Sequence, residues 1–432
     1  MTIEQLYGIY QKYPSVQTDT RKLIEGDIYF ALKGPSFNGN NFAKQALEKG
    51  AAYAVIDEKE YATDDRMIVV GNSLDTLQQL AKYHRQQFDI LNEGKKVPFI
   101  AVTGTNGKTT TKELIHAVLS TTFKTYTTQG NLNNHIGIPL TLLSIKPDAE
   151  MAVIEMGANH QKEIESYCKY VLPTHGLITN CGKAHLEGFG GIEGVQKAKG
   201  ELFDFLRDNK GTAFIMNDYD YLQRMSKGIQ KIITYGTQEA DVVGKLSQTE
   251  PFLSLFIEKG VDIDSLETHL VGDYNLPNIL AAVTIGKFFR VKEENIKMAV
   301  ETYRPSNSRS QLIEKNGNRI ILDAYNANPS SMKVAIENFA RMNAQNKILL
   351  LGGMAELGES SLQEHESLIK LIQQFDWKEV ILVGGDFLKT HNNFKKFSTS
   401  LEAAQWFREQ QFAESYMLIK GSRSMQMERV IE

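Results

Sequence analysis

The chain has 432 residues, 42% of them hydrophobic and 23% charged, which is typical of a water-soluble protein of two or three domains. A net charge of −4 argues against a nucleic-acid partner and against a polybasic contact with a membrane. Two cysteines, no signal-peptide pattern at the start and no apolar run of about 18 residues together predict a cytoplasmic protein that does not span a membrane.

Residues 1–95 are predicted to form a small α/β domain. Apolar runs of strand length alternate there with segments of helical periodicity. A polar segment from Leu91 to Lys96, followed by Pro98, is predicted to be the linker that ends this domain. The strands are predicted at 27–32 and 51–56, and the helices at 41–48 and 73–88.

Residues 96–304 are predicted to form a central P-loop ATPase-like domain with a mainly parallel sheet, because strands alternate with helical segments of about 10–15 residues. The stretch 240–271 alternates polar and apolar residues and predicts added antiparallel strands. A second linker is expected at 305–310. Residues 305–432 are predicted to form a Rossmann-like, doubly wound domain. Strands are predicted at 99–102, 152–155, 176–179, 212–215, 319–322, 347–351, 380–383 and 416–419, and helices at 278–289, 330–342, 361–375 and 400–410.

The segment 99–112, FIAVTGTNGKTTTK, has the layout of a phosphate-binding loop between a strand and a helix. Glycines let the backbone approach phosphates, and the helix N-terminus offers free N–H groups and a positive dipole end. Lys108 would neutralise the β- and γ-phosphates, and the Thr109 hydroxyl would hold Mg²⁺. The loop is a compact variant, because Val102 stands where the usual pattern has glycine; an ordinary strand–turn–helix is the alternative. The expected ATP contacts are Gly104, Thr105, Asn106, Gly107, Lys108, Thr109 and Thr110.

Several polar residues at predicted element ends could complete such a site. Glu155 ends a predicted strand, where a carboxylate could hold Mg²⁺ directly or through water, although it could also be a solvated acid. His185 could be a metal ligand, a phosphate contact or a structural residue. Lys199 lies in a helical segment that could equally be a solvated basic face. Asn275 and Asn278 open a helix, which they could cap, or they could hydrogen-bond an adenine edge.

Three turns of the predicted C-terminal sheet are rich in hydrogen-bonding groups. Each follows a strand, which is where open α/β sheets bind their ligands. The turns are 323–331, 352–359 and 420–424, and the last could receive an anion at a helix N-terminus. Three such turns on one edge favour a common site over three separate loops.

Taken together, these stretches resemble the Mur ligase family of ATP-dependent amide-forming enzymes in peptidoglycan synthesis, over essentially the whole chain. Within the family, they are most similar to the member that adds D-alanyl-D-alanine, and the DNPR run of the relative that adds the third amino acid is absent. The motifs are TGTNGKTTTK (103–112), GNLNNHIGIPLTLL (130–143), IEMGANH (154–160), AHLEGFG (184–190), AKGELF (198–203), GDYNLPNILAA (272–282), DAYNANPSSM (323–332), LGGMAELGE (351–359) and KGSRSMQME (420–428).

The resemblance implies ATP and Mg²⁺ as cofactors, and UDP-N-acetylmuramoyl-tripeptide and D-alanyl-D-alanine as substrates of a monomeric enzyme. The catalytic groups implied are Lys108, His185, Lys199 and Arg309. The further nucleotide contacts implied are Asn275, Asn278, Arg309 and Asp323. The metal ligands implied are Thr109, Glu155, His185 and Lys199, the last as a carbamylated lysine. The substrate contacts implied are Thr20 and Arg21 at the uridine end, Asn131, Asn133, Asn134 and His135 near the muramoyl part, and Asn326, Asn328, Glu356 and Lys420 on the side of the dipeptide.

Two alternatives stay open. A folylpolyglutamate synthetase-like ligase shares the compact loop and the ligase chemistry, but it would not be expected to carry the first domain or the DAYNANP run. A nucleotide-dependent binding or switch protein would have no ligase chemistry. The third α/β domain argues against a switch, because a switch does not need a second substrate cleft.

Overall fold

A computed structural model describes the chain except residues 92, 93, 95, 185 and 307. In that part of the chain, three main β-sheets of four, nine and six strands follow one another, beside a small two-stranded hairpin. Helices alternate with the strands in each, so the predicted three-part α/β class is confirmed. Both predicted linkers lie partly outside the described residues. Among the helices described, none is both long and apolar enough to cross a membrane.

The first unit holds a short sheet and a separate hairpin. Its strands are β1 (Val16–Gln17), β2 (Ile28–Phe30), β3 (Lys33–Gly34), β4 (Phe37–Asn38), β5 (Tyr53–Ile56) and β6 (Met67–Val69), and its helices are α1 (Ile3–Lys12), α2 (Ala43–Glu48) and α3 (Ser73–Leu91). The sheet is parallel, in the order β1-β2-β5-β6, while β3 and β4 form the hairpin. Helix α1 begins with a capping box, in which the side chains of Thr2 and Gln5 each accept the other's backbone N–H.

The second sheet carries the predicted phosphate loop between its first strand and first helix. The strands are β7 (Phe99–Thr103), β8 (Thr125–Thr127), β9 (Met151–Glu155), β10 (His175–Ile178), β11 (Thr212–Met216), β12 (Lys231–Gly236), β13 (Val242–Gln248), β14 (Ser254–Lys259) and β15 (Ser265–Glu267). The helices are α4 (Lys108–Ser120), α5 (Gly137–Ser144), α6 (Glu163–Val171), α7 (Leu186–Phe189), α8 (Ile192–Asp208), α9 (Asp220–Met225), α10 (Leu276–Phe288) and α11 (Glu293–Thr302).

The order of this sheet is β15-β14-β13-β12-β11-β10-β7-β9-β8. The strands from β8 to β13 are parallel, whereas β13, β14 and β15 pair antiparallel, as the alternation at 240–271 predicts. Strand β7 lies between β9 and β10, and the chain runs from it to one side of the sheet and later to the other. The loop after β7 is therefore at a topological switch point, the usual ligand position in such sheets.

The first and second sheets share one continuous hydrophobic core, because α3 packs against α5 and α6. Arg85 of α3 is 1% exposed at this junction, and its guanidinium lies 3.9 Å from the centre of the Phe99 ring. It donates to the carbonyl of Val171 at 3.1 Å and to Asp89 at 3.0 Å. The Tyr10 hydroxyl also donates across the junction, to the carbonyl of Leu143. The junction is thus both apolar and hydrogen-bonded.

The third sheet has helices on both of its faces. Its strands are β16 (Gln311–Lys315), β17 (Asn318–Asp323), β18 (Lys347–Gly352), β19 (Glu379–Val383), β20 (Lys395–Phe397) and β21 (Tyr416–Lys420), and its helices are α12 (Pro329–Arg341), α13 (Ser361–Ile372) and α14 (Ser400–Glu409). The strand order is β16-β17-β21-β18-β19-β20, parallel except for the β16–β17 pair. Successive residues of β18 enter different cores: Leu349 and Leu351 face α12 and α13, whereas Ile348 and Leu350 face α14. This is the doubly wound arrangement predicted.

Candidate active site

The carboxyl edges of the second and third sheets face one cavity of about 810 Å³. The turns after β7, β9, β10 and β11 line one side, and the turns after β17, β18 and β21 line the other. This volume is in the range of small-molecule and cofactor sites. The cavity is therefore built where both sheets would be expected to bind ligands.

The phosphate loop requires glycine at two positions. Gly104 and Gly107 have φ values of 142° and 78°, a region that side-chain-bearing residues rarely adopt. A Cβ on Gly104 would lie 2.0 Å from the hydroxyl oxygen of Thr179, and one on Gly107 would lie 2.7 Å from Oδ1 of Asn278. The loop is thus pressed against its neighbours on two sides, and it leads directly into α4 at Lys108.

Lys108 points back onto its own loop. Its ammonium donates to the carbonyls of Gly104 at 2.8 Å and Thr105 at 3.0 Å. Burial lowers the pKa of Lys108, the Glu155 carboxylate opposes that shift, and the charge of Arg309 adds to it. Two cations that face one enclosed space favour an anion there, such as the phosphates of a nucleoside triphosphate.

Glu155 ends β9 and is only 1% exposed. One of its oxygens accepts the Thr109 hydroxyl at 2.8 Å, and the other accepts the Asn133 amide at 2.7 Å. Among the described residues, no lysine or arginine lies within ion-pair distance of it, although buried carboxylates are normally paired or metal-bound. A carboxylate and a hydroxyl are ligands of the kind that Mg²⁺ takes, so the pair fits that ion.

Lys199 of α8 is 2% exposed, and its ammonium donates to the carbonyl of Ala158 at 3.1 Å. Burial, and then the charge of Lys108, lower the pKa of Lys199 to about 7. The open reading of this segment as a solvated basic face is therefore wrong for Lys199. His185 lies outside the described residues, and within those residues no three His, Cys, Asp or Glu side chains converge as a ready metal cage.

The two asparagines at the start of α10 are buried and bonded within the protein. Asn278 accepts the Thr111 hydroxyl at 2.9 Å and donates to Asn275 at 2.8 Å. Asn275 in turn donates to the carbonyl of Val271 at 2.8 Å. The capping alternative is wrong, since neither side chain caps the helix. Both residues line the cavity, and Asn278, held by Asn275, packs against the phosphate loop at Gly107.

The third sheet contributes charged and aromatic groups to the cavity. Lys420, at the end of β21, donates to Asp323, at the end of β17, at 2.5 Å. The guanidinium of Arg309 lies 3.5 Å from the centre of the Tyr325 ring, and that of Arg423 lies 5.9 Å from it. A guanidinium that lies on an aromatic face can still donate to an anionic ligand, and Arg423 also donates to Glu428 at 2.9 Å.

Models of the Mur ligase family match most of the chain. They are the Mur ligase family, catalytic domain, at residues 12–86, the Mur ligase middle domain at 102–286, and the Mur ligase, glutamate ligase domain at 308–423. A Bacillus subtilis relative named UDP-N-acetylmuramoyl-tripeptide–D-alanyl-D-alanine ligase is 33% identical over 96% of this chain and 92% of its own length. The chain belongs to the Mur ligase family.

Solved Mur ligase structures have the same fold. A crystal structure of MurF from Acinetobacter baumannii matches with a TM-score of 0.88 and 30% identity, covering 99% of this chain and 97% of that one. MurF ligase from Thermotoga maritima, solved in complex with ADP, matches with a TM-score of 0.85 and 26% identity, covering 96% of each chain.

Nearly all the residues predicted for the site of this Mur ligase lie in the cavity. Thr20 and Arg21 do not: the Arg21 side chain is 86% exposed and pairs with Asp19 at 2.8 Å. The predicted residues that line the cavity are Gly104, Thr105, Asn106, Gly107, Lys108, Thr109, Thr110, Asn131, Asn133, Asn134, His135, Glu155, Lys199, Asn275, Asn278, Arg309, Asp323, Asn326, Asn328, Glu356 and Lys420.

One side of this Mur ligase cavity is an aromatic wall that was not predicted from the sequence. Tyr219 and Tyr221 follow β11 and stack with their ring centres 5.5 Å apart and 11° between the ring planes. The Tyr221 hydroxyl accepts the backbone N–H of Cys181 at 3.1 Å, which ties this wall to the turn after β10. The position of Tyr219 after a strand end is the one signal in the sequence that points to the site.

Proposed function

We propose that this chain joins D-alanyl-D-alanine to UDP-N-acetylmuramoyl-tripeptide while ATP becomes ADP and phosphate. The observation that carries the proposal is the single cavity in which the phosphate loop and the turns of the third sheet face each other. The relatives with this activity in their names support the choice of substrates. Because both ATP and a UDP-linked precursor are needed, we place the reaction in the cytoplasm.

The reaction has two chemical steps. A terminal carboxylate oxygen of the tripeptide attacks the γ-phosphorus of ATP, and the bond from that phosphorus to the β–γ bridging oxygen breaks, giving an acyl phosphate and ADP. The amine of the dipeptide then attacks the acyl carbon, a tetrahedral intermediate forms, and phosphate leaves as the amine loses a proton. Lys108 and Arg309 offset the negative charge, and the closed site holds the reactants in place.

The same cavity residues would hold the nucleotide and its ion. The phosphate loop binds ATP, with Asn275, Asn278 and Asp323 beside the nucleoside. Mg²⁺ would be held by Thr109 and Glu155, with His185 and a carbamylated Lys199 as further ligands, and it would supply charge neutralisation at the phosphates. The fit rests on the buried Glu155 carboxylate and the hydroxyl 2.8 Å from it.

The two substrates would enter from opposite sides. Asn131, Asn134 and His135 would contact the muramoyl part of the acceptor, whose uridine end would reach Thr20 and Arg21 in residues 1–95. ATP would occupy residues 96–304. Residues 305–432 would bind the dipeptide, because Lys420, which also pairs with Asp323, and Glu356 would place opposite charges beside its carboxylate and ammonium. The residues facing the dipeptide are Asn326, Asn328, Glu356 and Lys420.

Closure of the third sheet over the second would protect the acyl phosphate from water. Direct contacts across the cleft support this role. The Asn328 amide donates to Oδ1 of Asn106 in the phosphate loop at 2.8 Å, and the Lys183 backbone N–H donates to the Ser330 hydroxyl at 2.7 Å. The segment 305–310 would act as the hinge, in which Ser308 and Ser310 have positive φ values.

A coupled assay of ADP release tests the proposal. Release should require both UDP-N-acetylmuramoyl-tripeptide and D-alanyl-D-alanine. Release that needs a folate and glutamate instead would identify the folylpolyglutamate synthetase-like alternative, and release that needs neither substrate would identify a switch. Lys108→Ala should abolish ADP formation, whereas Lys197→Ala, which removes an exposed lysine of α8, should not. Near-wild-type turnover by Lys108→Ala would refute the assignment.

A further inference from the structure

Asn133 lies on the segment 130–135, which lines the cavity between the second and third sheets and lies against α3 on its other side. This segment is tied to its surroundings on both sides. The Gln78 amide of α3 donates to the carbonyl of His135 at 3.0 Å, and the backbone N–H of Gly157 donates to the carbonyl of Asn133 at 2.8 Å. The segment therefore has a fixed position relative to the turn after β9.

The side chain of Asn133 is directed at Glu155 rather than being left for a ligand. Its Nδ2 lies 2.7 Å from Oε1 of Glu155, and a Cβ on Gly157 would lie 3.1 Å from its Cγ. Gly157 thus leaves the room that the Asn133 amide needs. A charge-assisted hydrogen bond of this length is strong and directional.

Glu155 is held from three directions. Asn133 donates to one carboxylate oxygen, Thr109 donates to the other at 2.8 Å, and the backbone N–H of Glu155 donates to the Thr128 hydroxyl at 3.0 Å. A cation bound between Thr109 and Glu155 would replace the hydrogen bond from the Thr109 hydroxyl. The hydrogen bond from Asn133 to the other carboxylate oxygen would remain. Asn133 would then be the side-chain contact that keeps the carboxylate oriented while the ion is bound.

We infer that Asn133 is a positioning residue, which orients Glu155 for a divalent cation instead of acting chiefly as a substrate contact. The inference rests on the proposed function, because it takes Glu155 as a ligand of the nucleotide-bound ion. Partners that orient metal ligands typically change metal affinity about 10–100-fold when they are removed. Asn133 belongs to that class by its contacts.

The test measures the affinity of the full chain for Mn²⁺ in the presence of ADP, with electron paramagnetic resonance of Mn²⁺ as the readout. Asn133→Ala should weaken Mn²⁺ binding by at least about 10-fold. Asn133→Leu, which has the same branched shape but cannot donate, should weaken it equally. Asn131→Ala is the matched control, because Asn131 is exposed on the same segment; it should stay within about two-fold of wild type while raising KM for the UDP-linked acceptor.

Two results separate this inference from the proposed function. Wild-type-like Mn²⁺ affinity in both Asn133 variants, together with a raised KM for the acceptor, would overturn the positioning role and make Asn133 a plain substrate contact. A different result would reject the proposed substrates but keep the positioning role. In that case the wild-type chain would not turn over the two substrates, yet it would bind Mn²⁺ in the presence of ADP, and Asn133→Ala would weaken that binding. Circular dichroism of each variant confirms that it is folded.

Discussion

At the scale of single residues, Lys199 shows how the fold changes the chemistry of a side chain. An ordinary lysine with a pKa of 10.5 is about 0.3% neutral at pH 8, whereas a pKa of about 7 makes the amine about 90% neutral. Burial is the main cause, and the nearby charge of Lys108 is the second. Only the neutral amine can take up carbon dioxide, so this environment favours the proposed carbamate.

We therefore expect a carbamate on Lys199 when the protein is prepared with ¹³C-bicarbonate. Its carbonyl signal in carbon-13 nuclear magnetic resonance should be present at pH 8 and should disappear as the pH falls through 7, because the amine becomes protonated there. Lys199→Ala should lack the signal and lose activity, and short carboxylates should restore part of that activity. Lys197→Ala, on the exposed face of α8, should keep the signal. A signal unaffected by Lys199→Ala would contradict the assignment.

The placement of site residues was predictable from the sequence where a motif fixes a backbone position. Lys108 and Thr109 follow from the loop, because a strand, a glycine turn and a helix determine where they stand. The environment of Lys199 was not predictable, because its burial depends on Ala158 and Phe189 from other elements. Tyr219 and Tyr221 were missed for the same reason.

At the scale of elements, α12 combines a helix cap with a contact across the cleft. The Asn328 side-chain oxygen accepts the Ser331 backbone N–H at 2.9 Å, and Pro329 follows in the first turn. The nitrogen of the same amide donates to Asn106 at 2.8 Å. One side chain thus starts the helix with its oxygen and reaches the phosphate loop with its nitrogen.

Substitutions at Asn328 should separate these two functions. Asn328→Ala loses the cap and should lower the free energy of unfolding by about 1 kcal/mol, while also raising KM for ATP. Asn328→Asp keeps the capping oxygen and most of the stability, but it places a carboxylate against Oδ1 of Asn106 and should raise KM for ATP more. Chemical denaturation and steady-state kinetics measure the two effects.

Thr399→Ala is the matched control for the cap. Thr399 caps α14 by accepting the Glu402 backbone N–H at 3.2 Å, and it does not line the cavity. The variant should lose a similar amount of stability without changing KM for ATP. If Asn328→Asp left KM for ATP unchanged, the contact with Asn106 would have no role in nucleotide binding.

Elements were predictable from the sequence where apolar runs are long. The runs at 347–351 and 380–383 predict β18 and β19 to within one residue at each end. Strand β20, Lys395–Phe397, is missed because two lysines in a three-residue edge strand show no apolar pattern. Strand β16 is missed because it lies in a hairpin with β17 and has mixed polar and apolar residues.

At the scale of the whole molecule, the first and second sheets share a hydrophobic core. The prediction that residues 1–95 form an α/β domain does not describe their core. In the structure, the α3 face of the first sheet shares the central core, whereas its α2 face has a separate hydrophobic cluster. Arg85 is the buried charge at this junction, with Val171 and Asp89 as hydrogen-bond partners. A sequence shows that Arg85 lies on a helix, but not which neighbouring carbonyls will meet it.

Arg85→Ala should lower the free energy of unfolding by about 2–4 kcal/mol, because it leaves buried carbonyls unpaired and opens space beside Phe99. Differential scanning calorimetry should then show separate transitions for the two merged units. Arg66→Ala is the control in the same unit, since Arg66 forms an exposed pair with Asp64 at 2.8 Å and should cost less than about 1 kcal/mol. A single unchanged transition in Arg85→Ala would contradict the coupling.

The shared core also fixes the distance between the first sheet and the phosphate loop. If the uridine end of the acceptor is held by the first sheet, its distance from the phosphate loop cannot adjust, because α3 joins the two units through buried contacts. Each residue of an extended peptide spans about 3.3–3.6 Å. A misplacement of the attacking carboxylate by that distance would prevent its in-line attack on the γ-phosphorus. The junction would then select acceptors by the length of their peptide. A dipeptide or tetrapeptide precursor would bind by its nucleotide end, but its terminal carboxylate would lie one residue away from the position needed for attack. Turnover of such shortened and lengthened precursors, compared with their binding affinity, would reveal that selection by length.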